Sequence, residues 1–515
     1  MGWLDYDDPP NEDDMTFHDI YLLSPEMSMA GLAAVLILVD LVFSKKSALT
    51  AIAFVGLAIP LTLSIVLWVD LNDQAVTQMD ADFGTETVAF VVDKFSLFFK
   101  FLIVAIVALV VLASSEYADK FQRFRAEYFA LILFSASGMM LLASTVELIS
   151  IYVSLELTSL PLAALAAFLR DDKSAESGLK FLILSAISSA VLLYGMVLIY
   201  GFTGTTVLAD IATQLGAIDL SADEAFGANV LLFGVVLVIA GFGFKIASVP
   251  FQMWAPDVYE GAPTPITAFL SVASKAAGFA VILRVFYVAF DSEMLSRDWA
   301  EVFAVLAILS MSFGNLVAIL QTNIKRMLAY STVAHAGYLM VGLSAVAARV
   351  PEAIAGPSGV LFYVSGYAAT NLAAFAAIIA ISNRVGSDRI DAFAGMSRRA
   401  PFLAGVLGFA LVSLIGIPPT VGFMAKIYIF GAAVNANLEW LALAGVINSV
   451  ISAYYYLRVI KVMYLQAPED ESHVSSGGMP LKIAIFVAMA GTGFFGIYPT
   501  PLINAARTAI GVLIS

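Results

Sequence analysis

The chain has 515 residues, of which 61% are hydrophobic and 13% charged, and its mean hydropathy is +0.92. That composition excludes a soluble globular domain and describes a polytopic membrane protein. A net charge of -14, concentrated outside the apolar runs, argues against nucleic acid as a partner, and the lack of cysteine excludes disulfides, iron–sulfur clusters and thiolate metal sites in this polypeptide.

In chain order, an acidic segment, 1–21, comes first. It has no basic n-region, so the first apolar run is expected to remain as an anchor rather than to be cleaved. From residue 22 onward the sequence reads as one membrane domain, all-α, with the lipid bilayer as its surroundings. Apolar runs of spanning length fall near 22–43, 49–69, 95–114, 125–143, 146–168, 177–201, 228–249, 264–289, 299–322, 325–347, 357–381, 403–430, 438–464 and 481–497. These fourteen are numbered here as spans 1 to 14.

Loop Lys and Arg residues, among them Lys45, Lys46, Lys120, Arg123, Arg170, Lys173, Arg384 and Arg398, gather on one side. Only Lys94, Lys100, Arg297, Arg349 and Arg507 fall on the other. By the positive-inside rule both termini are expected on the outer, periplasmic side of a bacterial-type inner membrane. An even number of spans requires termini on the same side.

Two spans carry their own breaks. Span 7 runs into Ser248-Val249-Pro250 and then Trp254-Ala255-Pro256-Asp257, and span 12 contains Gly416-Ile417-Pro418-Pro419. Proline lacks an amide donor and clashes with the preceding turn, so both helices are expected to break within or near the membrane. The breaks lie five spans apart, an odd offset that reverses direction across the bilayer. Spans 4–8 (about 125–289) and 9–13 (about 299–464) are therefore expected to form an inverted repeat, with spans 1–3 accessory and span 14 (481–497) last.

Of the ionisable residues inside spans, five carry the most weight. Glu156 and His335 each lie about ten residues into spans 5 and 10, near mid-membrane at a rise of about 1.5 Å per residue. Lys245 and Lys426 lie close to the two breaks, and Lys275 lies in span 8 among small residues. A central charge costs about 2.5–3.5 kcal/mol on insertion scales, so five of them point to a function in moving protons. Lysine and histidine change charge state in response to burial and neighbouring charges, which guanidinium does not. Glu147, Lys180, Asp257 and Glu260 lie at span ends or in loops and are read as interfacial. His18 and His473 lie in polar stretches, so a bis-histidine haem is not expected.

The stretches Ser154-Leu-Glu156-Leu-Thr-Ser-Leu-Pro161, Phe244-Lys245 through Pro250-Phe-Gln-Met-Trp-Ala-Pro-Asp-Val-Tyr-Glu-Gly-Ala-Pro-Thr-Pro265, Asn323 through His335-Ala-Gly-Tyr338, and Gly416 through Lys426 resemble the proton-antiporter membrane family. That family includes the antiporter-like subunits of respiratory complex I and the large subunits of multisubunit Na+/H+ antiporters. The resemblance is closest to its N-type branch, since the long lateral helix of the L-type is not expected in the roughly eighteen residues that follow span 14. The resemblance implies fourteen helices with an inverted five-helix repeat. It implies Glu156 and Lys245 as a coupled pair, Lys275 as the central lysine, Lys426 as the lysine of the second broken helix, and His335 as the residue that joins them. It further implies proton translocation coupled to NADH:quinone electron transfer, no cofactor in this chain, and flavin, iron–sulfur clusters and quinone in partner subunits of a membrane arm. A cation antiporter subunit and a ferredoxin- or hydrogenase-linked complex are the alternatives within the family. A structural spacer is the alternative outside transport.

Overall fold

The computed structural model describes residues 17–42, 47–71, 77–80, 88–217, 225–291, 293–346, 355–468 and 473–514. Most of the acidic segment, residues 1–16, lies outside them. Each of the fourteen expected spans coincides with helix. Among the described residues twelve helices are long and apolar enough to cross a membrane. Span 10, Ile324–Ser344, has the length but is more polar. Span 12 is two helices, Pro401–Ile415 and Val421–Asn435, separated by the glycine–proline break. Outside the spans, Thr77–Asp80 and Val88–Val92 pair as an antiparallel ribbon.

Spans 8 and 11 (Thr264–Ala289 and Ala355–Val385) are buried almost along their whole length, whereas spans 1, 2, 6 and 14 expose one face of large apolar side chains. Span 8 is not a regular helix. Leu270–Ser274 and Val285–Ala289 are π-helical turns that bracket Lys275–Arg284, and such turns widen a helix locally and occur often at functional sites.

The two halves share a device at their helix starts. Glu147 caps span 5, Leu148–Ala166, accepting from the amides of Ile149 and Ser150. Asn323 caps span 10, accepting from those of Lys325 and Arg326. In the first half Leu148 N donates to Thr206 O and Leu208 N to Val146 O. In the second Ile324 N donates to Asp388 O and Ile390 N to Thr322 O, which is the same reciprocal bridge five spans later.

Four details differ from the sequence-based expectation. Thr500–Ile514 is a further helix after span 14, its buried face formed by Ile503, Ala506, Ala509, Ile510 and Leu513. Lys100, counted above among the outer-side charges, is fully buried within span 3, Lys94–Ala113, against Glu26 of span 1 at 2.7 Å. Glu147 is the helix cap just described rather than an interfacial charge. Lys180 is anchored at 2.9 Å to Asp257, which also binds Arg326 at 2.6 Å, so Asp257 and Glu260 tie the short helix Trp254–Gly261 to spans 6 and 10.

Candidate functional site

Both broken spans are satisfied at their breaks. In span 7 the helix ends at Ile246. Trp254 Nε1 then reaches back to Phe244 O at 2.9 Å, and Val249 N donates to Ser310 Oγ of span 9 at 2.9 Å. In span 12 the last turn of Pro401–Ile415 meets a different partner. Lys426, from the second half-helix, donates through Nζ to Leu414 O at 3.2 Å and Ile415 O at 2.7 Å. The ammonium thus serves as the C-terminal cap of a helix whose carbonyls carry the negative end of its dipole. Gly416, at φ +93°, turns the chain there, and a Cβ on it would stand 2.9 Å from Lys426 Cδ.

Glu156 is central in span 5 and accepts from Ser189 Oγ of span 6. Lys245 donates to Ser159 Oγ at 2.7 Å, and Ser159 lies one turn beyond Glu156 on the same helix. Ser159 Oγ donates its own proton to Leu155 O at 2.7 Å, so the expected coupled pair is held on separate partners, Glu156 on Ser189 and Lys245 on Ser159, and the two form no direct ion pair. The stem of Lys245 lies against Gly278, where a Cβ would stand 3.5 Å from Lys245 Cγ, so span 8 receives it three residues past Lys275.

Lys275 Nζ donates to the carbonyl of Thr332 in span 10 at 2.5 Å and stands 5.4 Å from the ring centroid of Tyr367 in span 11. Thr332 Oγ1 shares a hydrogen bond with the Tyr367 hydroxyl at 2.8 Å. Asn371 donates to that hydroxyl at 3.2 Å and to Ser271 Oγ at 2.7 Å. The His335 ring also packs on Tyr367, tilted by 36° with centroids 4.9 Å apart. Its Nδ1 faces the Tyr363 hydroxyl at 2.7 Å, and its Nε2 faces that of Tyr456 at 3.3 Å. Beyond it comes Tyr338, at 5.5 Å from the imidazole and 4.6 Å below the ammonium of Lys426.

Lys275, His335 and Lys426 are thus brought into one buried series, with Tyr367 neighbouring the first two and Tyr338 the last two. An aromatic face attracts a cation without supplying a counter-charge, so it can stabilise a protonated state without trapping the proton in an ion pair. Sequence reasoning named the ionisable residues but not the rings of Tyr367 and Tyr338 beside them, nor the backbone oxygen of Thr332 as the partner of Lys275. The available signal was spacing: Tyr363, Tyr367 and Asn371 recur every fourth residue, on one helix face.

Residues 144–452 match the family described as NADH:quinone oxidoreductase/Mrp antiporter, transmembrane. The chain is 43% identical to NADH-quinone oxidoreductase subunit N of Dehalococcoides mccartyi, over 96% of this chain and 99% of that one. It is 42% identical to subunit N of Heliobacterium modesticaldum, over 95% and 98%. The chain belongs to this family, in its subunit N branch. Among solved structures, a chain of respiratory complex I from Thermus thermophilus with bound aureothin superposes with a TM-score of 0.73 at 29% identity, covering 93% of this chain and 98% of that one. The Mrp complex from Dietzia shares the fold, with a TM-score of 0.83 at 21% identity and coverage of 96% and 98%. The membership fits an antiporter-like membrane subunit. Among the described residues no cluster of His, Cys, Asp and Glu could hold a metal ion.

Proposed function

We propose that this chain moves protons across a bacterial inner membrane as the N-type subunit of an NADH:quinone oxidoreductase, through Glu156, Lys245, Lys275, His335 and Lys426. In this reading it crosses the bilayer fourteen times with both termini outside, and spans 4–8 and 9–13 are inverted copies. The paired caps and reciprocal bridges at Glu147 and Asn323 support the repeat. Electron transfer takes place in partner subunits that carry flavin, iron–sulfur clusters and the quinone site, and homologous antiporter-like subunits adjoin this one in the membrane arm.

The buried series Lys275, Tyr367, His335, Tyr338 and Lys426 carries this reading, because a structural spacer needs no succession of titratable groups through its core. Glu156, Ser159 and Lys245 form the input side of the same route. Bringing the Glu156 carboxylate to within about 4 Å of Lys245 would stabilise the ammonium by about 4 kcal/mol at an effective dielectric of about 20. That exceeds the roughly 2.3 kcal/mol needed to lift one charge against 100 mV.

The test is proton uptake measured together with NADH-driven quinone reduction in inverted vesicles, comparing the native chain with Lys275→Met. The expected outcome is a several-fold fall in protons moved per electron with the complex assembled. Native values in both measurements would make Lys275 structural and remove the centre of the route. The shared fold with the Mrp complex favours one second reading, a cation antiporter subunit, for which pumping would require sodium.

A further inference from the structure

Tyr338 touches both His335 and Lys426, and it is held from behind by groups that carry no charge. Asn315 of span 9, fully buried, donates through Nδ2 to the Tyr338 hydroxyl at 3.1 Å and to Asn448 O of span 13 at 3.1 Å. Its Oδ1 accepts from the Tyr455 hydroxyl at 3.0 Å. Asn448 is fixed in turn, donating to Ser312 Oγ at 3.3 Å and Ala444 O at 3.0 Å.

Both amide protons and the carbonyl oxygen of Asn315 are therefore used, and an amide so engaged has one orientation. Apolar side chains would hold spans 9, 10 and 13 together without desolvating these polar groups. What the amide adds is direction: it sets where the tyrosine hydroxyl points, and through it the tilt of the ring under Lys426. Titratable groups facing this ring are His335 of span 10, Tyr363 of span 11, Lys426 of span 12, and Tyr455 and Tyr456 of span 13.

We propose that Asn315 is a positioning residue for proton transfer between His335 and Lys426, fixing Tyr338 so that its ring face meets the ammonium and its edge meets the imidazole. This inference rests on the proton route proposed above. Asn448, in span 13, then acts as the anchor of Asn315.

The experiment measures protons moved per electron against pH in inverted vesicles carrying Asn315→Leu, Tyr338→Phe, the double variant, or Lys426→Met. Each single tether variant is expected to lower the ratio and to move the alkaline limb of the profile down by about one pH unit, the scale of a lost cation–ring contact. The double variant is expected to go no further, since both changes cut the same tether. If Asn315→Leu does not assemble, Tyr338→Phe, which keeps the ring, decides alone. A native pH profile in the tether variants, or additive shifts in the double variant, while Lys426→Met stops pumping, overturns the positioning role and leaves the route standing. Native pumping by Lys426→Met overturns the route itself.

Discussion

Glu26 and Lys100 lie in spans 1 and 3, outside both halves, and neither exposes more than a trace of its side chain at a separation of 2.7 Å. Removing one partner leaves the other charged in an apolar core, which costs about 3–5 kcal/mol, whereas removing both costs far less. Glu26→Gln is therefore expected to reduce the assembled chain and its melting temperature strongly. Adding Lys100→Met to Glu26→Gln should restore most of both, as read by fluorescence size-exclusion profiles and a thermal ramp in detergent. A double variant no better than the single would assign the pair a role other than mutual neutralisation. The bidentate pair of Arg284 with Asp93, at 2.9 and 3.0 Å, follows a stricter rule because Arg284 also binds Ala143 O. It joins spans 3, 4 and 8 through a planar fork that lysine lacks, so Arg284→Lys should lose melting temperature in the same assay while keeping the charge.

At the scale of elements, the break in span 12 depends on close approach as much as on proline. A Cβ on Gly422 would stand 1.9 Å from Ser413 O, so the second half-helix can lie against the first only with glycine there. Gly422→Ala is expected to push the two halves of span 12 apart and to withdraw Lys426 from Leu414 O and Ile415 O. Protons moved per electron should fall several-fold in inverted vesicles while quinone reduction proceeds. Native pumping by this variant would show that the cap at Ile415 is dispensable. Such breaks were legible in the sequence because proline acts through its own backbone, and the spans were legible because each is a long run of one polarity. Thr500–Ile514 was not, since its apolar residues form only one stripe on a helix of 15 residues, too short to read as a span. Lys100 was misplaced for a related reason: a lysine near a span end reads as an outer-side charge until the carboxylate that holds it, 74 residues away in Glu26, is known. The five site residues could be named from charge in apolar runs. The serine that receives Lys245 and the rings that neighbour the later groups arise from packing between spans, which no local pattern records.

For the whole molecule, the ends of spans 6, 7 and 10 are held together by charge. The short helix Trp254–Gly261, between the break of span 7 and span 8, presents Asp257 to Lys180 of span 6 at 2.9 Å and to Arg326 of span 10 at 2.6 Å. Glu260 of the same helix reaches Arg326 at 3.1 Å and Lys173 at 3.4 Å. Arg326 begins span 10, so this cluster joins the short helix after the break of span 7 to the start of the span that carries His335. Burial by itself raises the pKa of Asp257, but hydrogen bonds and charge from Lys180 and Arg326 outweigh it and hold the carboxyl below its ordinary value. A carboxyl with a depressed folded-state pKa contributes stability that is present above its unfolded value, about 3.9, and is lost as the pH falls through the lower folded value. The native chain should therefore melt above Asp257→Asn by a constant margin from neutral pH down to about 5, and the margin should close as the pH falls below about 4. Thermal ramps of the two proteins in detergent, taken at matched ionic strength, measure that margin directly. Because the cluster is partly solvated, added salt should also narrow it, which a purely steric role for Asp257 would not produce.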